Sequence, residues 1–511
     1  MQGIHRWRVV AAGAALSLVV AGCSKAGDLA GGGSDEAKKS DSSSAPSADL
    51  KKFYAQELTW SDCGGGDQCA DMMVPIDYAK PDGETLVLKA RKKPAGDSDD
   101  KVGSLFINPG GPGGSGIDYL STFASSGDDD ILESYDVIGF DPRGVATSTP
   151  LKCLDDDALD DFVNVDPDPD TAAEETAYGE GAKKMGEACK SNSGELAAHV
   201  STIEVAKDLD VMRALVGDDK LHYLGASYGT YIGSVYAEVF PKKVGRLVLD
   251  GALDPTLDSE GLNLGQAKGF QTALVAYIKS CLETDSCPLG TSEAAAQDKI
   301  KKFLDQLDAT PLKTDDPERP LTQSLGFYAI ALPLYNEQSW PVLTQIFDSA
   351  FAGNGEPMVK VADQYLSRTQ SGYQDNSAQV IYAVNCLDKP ESSTVAEVKA
   401  SESEFLDVSP VFGRTFAWSP YSCSQWPIKP AEEPVTVDAD GAAPIVVVGT
   451  TRDPATPYEW AQALAKQLDS GVLVSRDGDG HTGYNMGNEC VDDAVNDYLL
   501  DGDVPKDGLK C

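Results

Sequence analysis

Short apolar runs mark both ends of the chain, and helical spacing governs its middle. The run over 103–108, GSLFIN, is continuous enough for a strand buried on both faces. So are the runs over 135–140, 221–224, 246–250, 444–449 and 471–475. Weaker runs over 57–60 and 85–89 predict opening strands. Between them, Ile203, Ala206, Leu209, Met212 and Val216 fall on one stripe of a helix over 201–216. Ser201 and Glu204 have the spacing of a capping box at its start. A second helix is predicted over 458–468, between the last two strands. From about 254 to 440 strand signals fade. Acidic segments with helical spacing replace them at 265–282, 292–307, 339–352 and 359–367. The stretch 150–200 is acidic and long for a simple connection, which predicts a surface insertion. Strands alternating with helices around one helical block predict an α/β fold, a mostly parallel central sheet with a large helical cap insertion. Its expected divisions are a core over 51–254, a cap over 255–440 and a closing core segment over 441–511.

The first 22 residues change the picture, because they read as a leader rather than as fold. His5, Arg6 and Arg8 precede an apolar run over 9–20. That run is too short for a membrane span, which takes about 20 residues. Val20, Ala21, Gly22 and Cys23 then resemble a bacterial lipobox, in which Cys23 is lipidated and becomes the mature N-terminus. Residues 23–50, rich in Gly, Ser, Lys and Asp, are expected to be a flexible tether. The expected location is extracytoplasmic, anchored to the membrane through Cys23 or released.

At 511 residues the chain holds one large domain with insertions or more than one domain. Its net charge of −39 argues against nucleic-acid binding, which needs Lys and Arg to neutralise phosphate. Without Cys23, the other cysteines fall in local pairs: Cys63/Cys69, Cys153/Cys189, Cys281/Cys287, Cys386/Cys423 and Cys490/Cys511. Outside the cytoplasm these read as disulfides, although spacing alone leaves their connectivity open. Zinc is the competing reading. It is disfavoured because neither a C-x-x-C doublet nor an H-E-x-x-H motif occurs and there are only four histidines.

The candidate chemistry centres on Gly225-Ala226-Ser227-Tyr228-Gly229, a G-x-S-x-G turn with a strand before it and a helix after it. Such an elbow lifts a serine hydroxyl off the sheet and points the next N–H at a developing oxyanion. Ser227 is therefore the expected nucleophile and Tyr228 N–H one oxyanion donor. The loop over 109–116, PGGPGGSG, puts bare N–H groups at the end of another strand, which suits an oxyanion or anion site. A phosphate loop is disfavoured because no G-K-[S/T] follows. Acyl transfer also needs a base and an orienting acid. His5 goes with the leader, His199 lies in the acidic insertion, and His222 sits inside the elbow strand. His481, in the glycine-rich loop just past the last strand, is the expected base. Asp453, the first carboxylate after the preceding strand, is the expected acid. Asp254, with Asp250 behind it, is the rival. The order Ser227, Asp453, His481 is that of α/β-hydrolases.

The elbow GASYGTY, the loop NPGGPGGSG with DPRG after the next strand, and the tail TRDPATP…GDGHT occur together. With the lipobox and the cysteine pattern, the chain resembles actinobacterial secreted tripeptidyl aminopeptidases. These are α/β-hydrolase serine exopeptidases related to proline iminopeptidases. The resemblance runs from about Trp60 to Cys511. It implies an α/β-hydrolase fold and release of short peptides, often tripeptides, from free N-termini. It also implies Ser227, Asp453 and His481 as the triad, and oxyanion donors from Tyr228 and a glycine of the Gly110–Gly111 pair, with Gly111 preferred. Ala146 stands where relatives commonly have glycine, and Pro109 where proline iminopeptidases usually have histidine. No metal or organic cofactor is required. A substrate ammonium needs carboxylates in or under the cap, and Asp388 and Glu404 are the candidates. A carboxylesterase or lipase of the same fold is the alternative, and a non-catalytic binding lipoprotein is a third reading.

Overall fold

A computed structural model describes residues 44–97, 101–390 and 393–511. The leader, Cys23 and most of the tether lie outside the described residues. One ten-stranded sheet organises the rest. Its strands are β1 (Ser61–Gly64), β2 (Asp67–Pro75), β3 (Thr85–Lys93), β4 (Gly103–Asn108), β5 (Tyr135–Phe140), β6 (Leu221–Ala226) and β7 (Val244–Asp250). A two-stranded hairpin, β8 (Arg368–Thr369) and β9 (Gly372–Tyr373), stands apart from the sheet. It is followed by β10 (Ile445–Arg452), β11 (Gly471–Asp479) and β12 (Leu509–Lys510). The spatial order is β1-β2-β3-β5-β4-β6-β7-β10-β11-β12. β1 to β3 pair antiparallel, β3 is antiparallel to β5, and every pair from β5 to β12 is parallel. The expected α/β-hydrolase architecture, a mostly parallel sheet with helices, is what the chain forms.

The continuous apolar runs make sense in this sheet, because alternate residues feed two separate cores. Leu105, Ile107, Val137, Leu224, Val248, Val446 and Val448 pack on one face with Leu120 and Val495. Phe106, Ile138, Tyr223, Leu247, Leu249 and Val447 pack on the other, in a core that continues into the helical block. That block lies between β7 and β10. It contains the helices Ser259–Leu282, Glu293–Ala309, Gln323–Leu334, Trp340–Phe351, Glu356–Tyr365, Ser377–Asp388, Val395–Val408 and Gly413–Ser424.

Four local expectations need correction or completion. Residues 57–60 are not a strand. Gln56 occupies the edge of β2 with its side chain instead, accepting from Met73 N–H at 2.9 Å and donating to Met73 O at 2.7 Å. The opening strand was hidden further on, where Ala70, Met72 and Val74 of β2 alternate inward against exposed Asp71 and Met73. The capping box does not form. Glu204 turns inward, pairing with His199 Nδ1 at 2.7 Å and lying 3.5 Å from the buried Arg143 guanidinium. A fully buried cation draws a carboxylate more strongly than one neutral backbone amide does. The 150–200 stretch is not a free surface insertion. Its helices Asp156–Val163 and Ala172–Ser193 pack on the helical block, through an Arg368–Asp160 ion pair at 2.5 Å and a Leu154 N–H bond to Gln379 at 2.8 Å. All five cysteine pairs are bonded as nearest neighbours.

Candidate active site

Ser227 stands between β6 and the helix Tyr228–Val239 with φ 55° and ψ −126°. A non-glycine residue in that region costs about 1–3 kcal/mol, so its surroundings must hold it there. Ser227 N–H donates to Asp250 O at 2.9 Å, and Ser227 O accepts from Thr230 N–H at 2.8 Å and Thr230 Oγ1 at 2.6 Å. The flanking glycines permit the crossing. A Cβ on Gly225 would sit 2.4 Å from Gly229 O, and one on Gly229 would sit 2.8 Å from Asn108 O.

Two strands away, Asp453 follows β10 and is buried. Its carboxylate is saturated. One oxygen accepts from Ala455 and Thr456 N–H at 2.9 Å each. The other accepts from Thr456 Oγ1 at 2.9 Å and Thr482 N–H at 3.1 Å. Both oxygens reach His481 Nδ1, at 2.9 and 2.8 Å. A carboxylate only accepts, so Nδ1 carries the proton and Nε2 keeps a lone pair. That Nε2 is buried and has no hydrogen-bond partner among the described residues, so the structure does not join it to Ser227. Burial pulls the His481 pKa down, but Asp453 beside it and Asp250 behind it prevail and hold it above the ordinary 6.5.

The helical block holds this histidine as well. Tyr335, which follows the helix Gln323–Leu334, accepts His481 N–H on its carbonyl at 2.8 Å. Its ring stands edge-on to the imidazole at 5.3 Å. Tyr335 contacts Tyr365, which contacts Tyr328. Tyr328 lines a cavity of about 110 Å³ together with Phe162, Tyr178, Phe327, Tyr382 and Phe416.

The other candidates separate clearly. Asp254 closes a local turn, with Oδ1 accepting from Thr256 N–H and Oγ1. Asp250 makes no hydrogen bond to His481 but binds the backbone after it, through Gly483 N–H at 2.8 Å and Tyr484 N–H at 2.9 Å. His199 belongs to the Arg143–Glu204 network. His222 meets Tyr135 OH at 3.1 Å, and burial and then Arg246 push its pKa down to about 4. Asp388 is buried with both oxygens on Thr202, whose hydroxyl also bonds Tyr228 OH. Its carboxylate therefore braces the residue after Ser227. Glu404 is exposed on the helix Val395–Val408. Thr456 and Tyr335 were not foreseen. Only the fold brings them to the histidine.

Within the glycine loop the two candidates divide. Gly110 N–H donates to Asn108 Oδ1 at 2.9 Å, which removes it as an oxyanion donor. Gly110 serves by close approach, since a Cβ there would lie 2.8 Å from Tyr228 N and 2.9 Å from Ser227 Cβ, at φ +91°. Gly111, the preferred donor, keeps its N–H out of that bond. Gly110→Ala is expected to displace the elbow, lowering kcat about 100-fold and Tm together. Steady-state kinetics and thermal melts check this, and an unaltered kcat would contradict it.

Residues 409–511, which contain Asp453 and His481, match the family described as TAP-like protein. Over 477 residues the chain is 38% identical to "Serine protease Hip1" of Mycobacterium tuberculosis, covering 89% of this chain and 91% of that one. It is 34% identical over 452 residues to "Carboxylesterase B" of the same species, covering 87% and 86%. To "Tripeptidyl aminopeptidase" of Streptomyces lividans it is 32% identical over 475 residues, covering 89% and 86%. With this extent of likeness over an α/β-hydrolase sheet, the chain is a serine hydrolase and belongs to the tripeptidyl-aminopeptidase-like family.

Proposed function

We propose that the protein is an extracytoplasmic serine exopeptidase that releases short peptides, tripeptides foremost, from free N-termini. The observation that carries the serine-hydrolase part of this reading is the Asp453–His481 pair, bonded at Nδ1 with a bare Nε2, at the same end of the parallel sheet as the serine elbow. The exopeptidase part rests on the likeness to a tripeptidyl aminopeptidase. His481 Nε2 takes the Ser227 proton as Oγ attacks the scissile carbonyl. Tyr228 and Gly111 N–H groups stabilise the oxyanion, and His481⁺ then protonates the leaving amine. Water, activated by the same base, releases the acyl group. Because Nε2 has no partner among the described residues, the Ser227–His481 bond is proposed to form when substrate binds, as catalytic hydrogen bonds often tighten only in the substrate complex. The helical block acts as the cap, and its Tyr335 ring, edge-on to His481, supplies a wall beside the base. Five disulfides suit an oxidising compartment, and Cys23 is the proposed lipid anchor.

The test uses matched tripeptide anilides, one with a free N-terminus and one acetylated, beside a short acyl ester, with Ser227→Ala as control. Turnover of the free peptide alone is the expected result. Equal turnover of the acetylated peptide would overturn the exopeptidase reading. Ester turnover without amide turnover would favour the esterase reading that one relative's name suggests. The pH profile gives a further check. Only neutral His481 accepts a proton, and its pKa is held above 6.5. Thus kcat/KM should fall as pH drops through a midpoint above 6.5. A midpoint below 6.5 would contradict the assignment.

A further inference from the structure

Asp250 is the last residue of β7, and β7 lies between the strand that ends at the nucleophile and the strand that ends at the acid. In register, Asp250 sits opposite Ala226 of β6 and Val448 of β10. Its main chain and side chain work in different directions. The carbonyl accepts Ser227 N–H at 2.9 Å. The buried carboxylate accepts two consecutive N–H groups, Gly483 at 2.8 Å and Tyr484 at 2.9 Å, just past His481. The next residue completes the arrangement. Gly251 has φ +67°, its N–H donates to Val448 O at 3.0 Å, and a Cβ there would come within 3.1 Å of both His481 Cε1 and Thr456 Oγ1.

We infer that Asp250 is a positioning residue of the active site, its carbonyl holding the Ser227 elbow and its carboxylate holding the His481 loop, so that one residue sets the alignment of nucleophile and base. This rests on the reading of Ser227 and His481 given above. A buried carboxylate without a cation of its own is costly, and a loop could be tethered more cheaply by a neutral group. The charge has a use here, because it lies behind the imidazole and favours the imidazolium that forms during attack. The titratable groups facing Asp250 are His481, Asp453 and Tyr119, and burial keeps the Tyr119 hydroxyl neutral. Burial, opposed by the two N–H groups and His481 and assisted by Asp453, pushes Asp250 up to about 7.

The test is Asp250→Asn. Asparagine keeps the volume, but its amide can accept only one of the two N–H groups and sets its own N–H against the other. Expected are a loss of about 100-fold in kcat with KM within about twofold, because the defect is misalignment and not lost binding. In protein labelled with ¹⁵N-histidine, the His481 titration midpoint should move down. A folded variant with parental kcat and an unmoved midpoint would overturn the proposal, since a mere loop anchor would alter stability alone. If Asp250→Asn does not fold, His481→Gln decides. With the histidine gone, the Gly483 and Tyr484 amides should remain protected from hydrogen exchange by the Asp250 carboxylate, and free exchange of both in the folded variant would overturn it. Failure of a fluorophosphonate to label Ser227 in the parent would instead sink the functional reading, leaving the His481 titration readable.

Discussion

Asp453→Asn should lower kcat by roughly 10⁴-fold while leaving the protein folded. The effect follows from how fully the carboxylate is used. If the asparagine oxygen keeps Ala455 and Thr456 N–H, the amide nitrogen takes the position that faces Thr482 N–H and His481 Nδ1. Two donors then confront each other at Thr482. Nδ1 can meet the new amide only as an acceptor, which moves the imidazole proton to Nε2. That tautomer has no lone pair where the Ser227 proton must go. The imidazolium also loses the charge that stabilises it. Thr456 Oγ1, already 3.2 Å from Nδ1, can reverse its role and soften the structural loss but not the chemical one. Kinetics with circular dichroism would check this. A folded variant within about tenfold of the parent kcat would remove Asp453 from the triad.

Ser227→Ala should abolish turnover, with a loss of roughly 10⁶-fold in kcat, and should leave thermal stability unchanged. No hydrogen bond of the Ser227 hydroxyl is found among the described residues, so its removal leaves no buried partner unsatisfied. Alanine carries the same Cβ through the same φ 55° turn, so the elbow is no more strained than before. Substrate should still bind, and the variant should be inert to fluorophosphonates. Retained amidase activity would mean that another nucleophile does the work. Greatly lowered stability would mean that the hydroxyl has a structural task.

The proposed triad could be picked out of the sequence because each candidate sits at a strand end, where local pattern and chemistry coincide. Ser227 has its flanking glycines. Asp453 is the first carboxylate after an apolar run, and His481 is the histidine in a loop after the last such run. The residues that align them could not be read in this way. Asp254, with Asp250 behind it, looked like the rival acid because both stand at or just past the end of β7, and that local pattern does not show Asp250's true partners. Those partners, Gly483 and Tyr484, are more than two hundred residues away. Asp388 looked like an amine ligand because it is acidic and belongs to the helical block. Burial turned it instead into a brace for Thr202 and Tyr228. Glu204 and Ser201 had capping-box spacing, but spacing does not reveal a buried arginine nearby. The resemblance preferred Gly111 over Gly110, but the physical difference between them, the bond from Gly110 N–H to the Asn108 side chain, appears only in the fold.

The contacts between the helical block and the site carry a consequence for how the enzyme admits its substrate. His481 is tied to the block at Tyr335 O, and Tyr228 is tied to it through Thr202 and Asp388, itself near the Cys386–Cys423 crosslink. A cap that swung away as a rigid lid would release the proposed base and the proposed oxyanion donor in the same movement. Open and armed would then be mutually exclusive states. Chains too long for the cap to close over would meet only the disarmed form, so a preference for short peptides, and the sparing of folded neighbours, would follow from when the machinery assembles as well as from the size of its entrance.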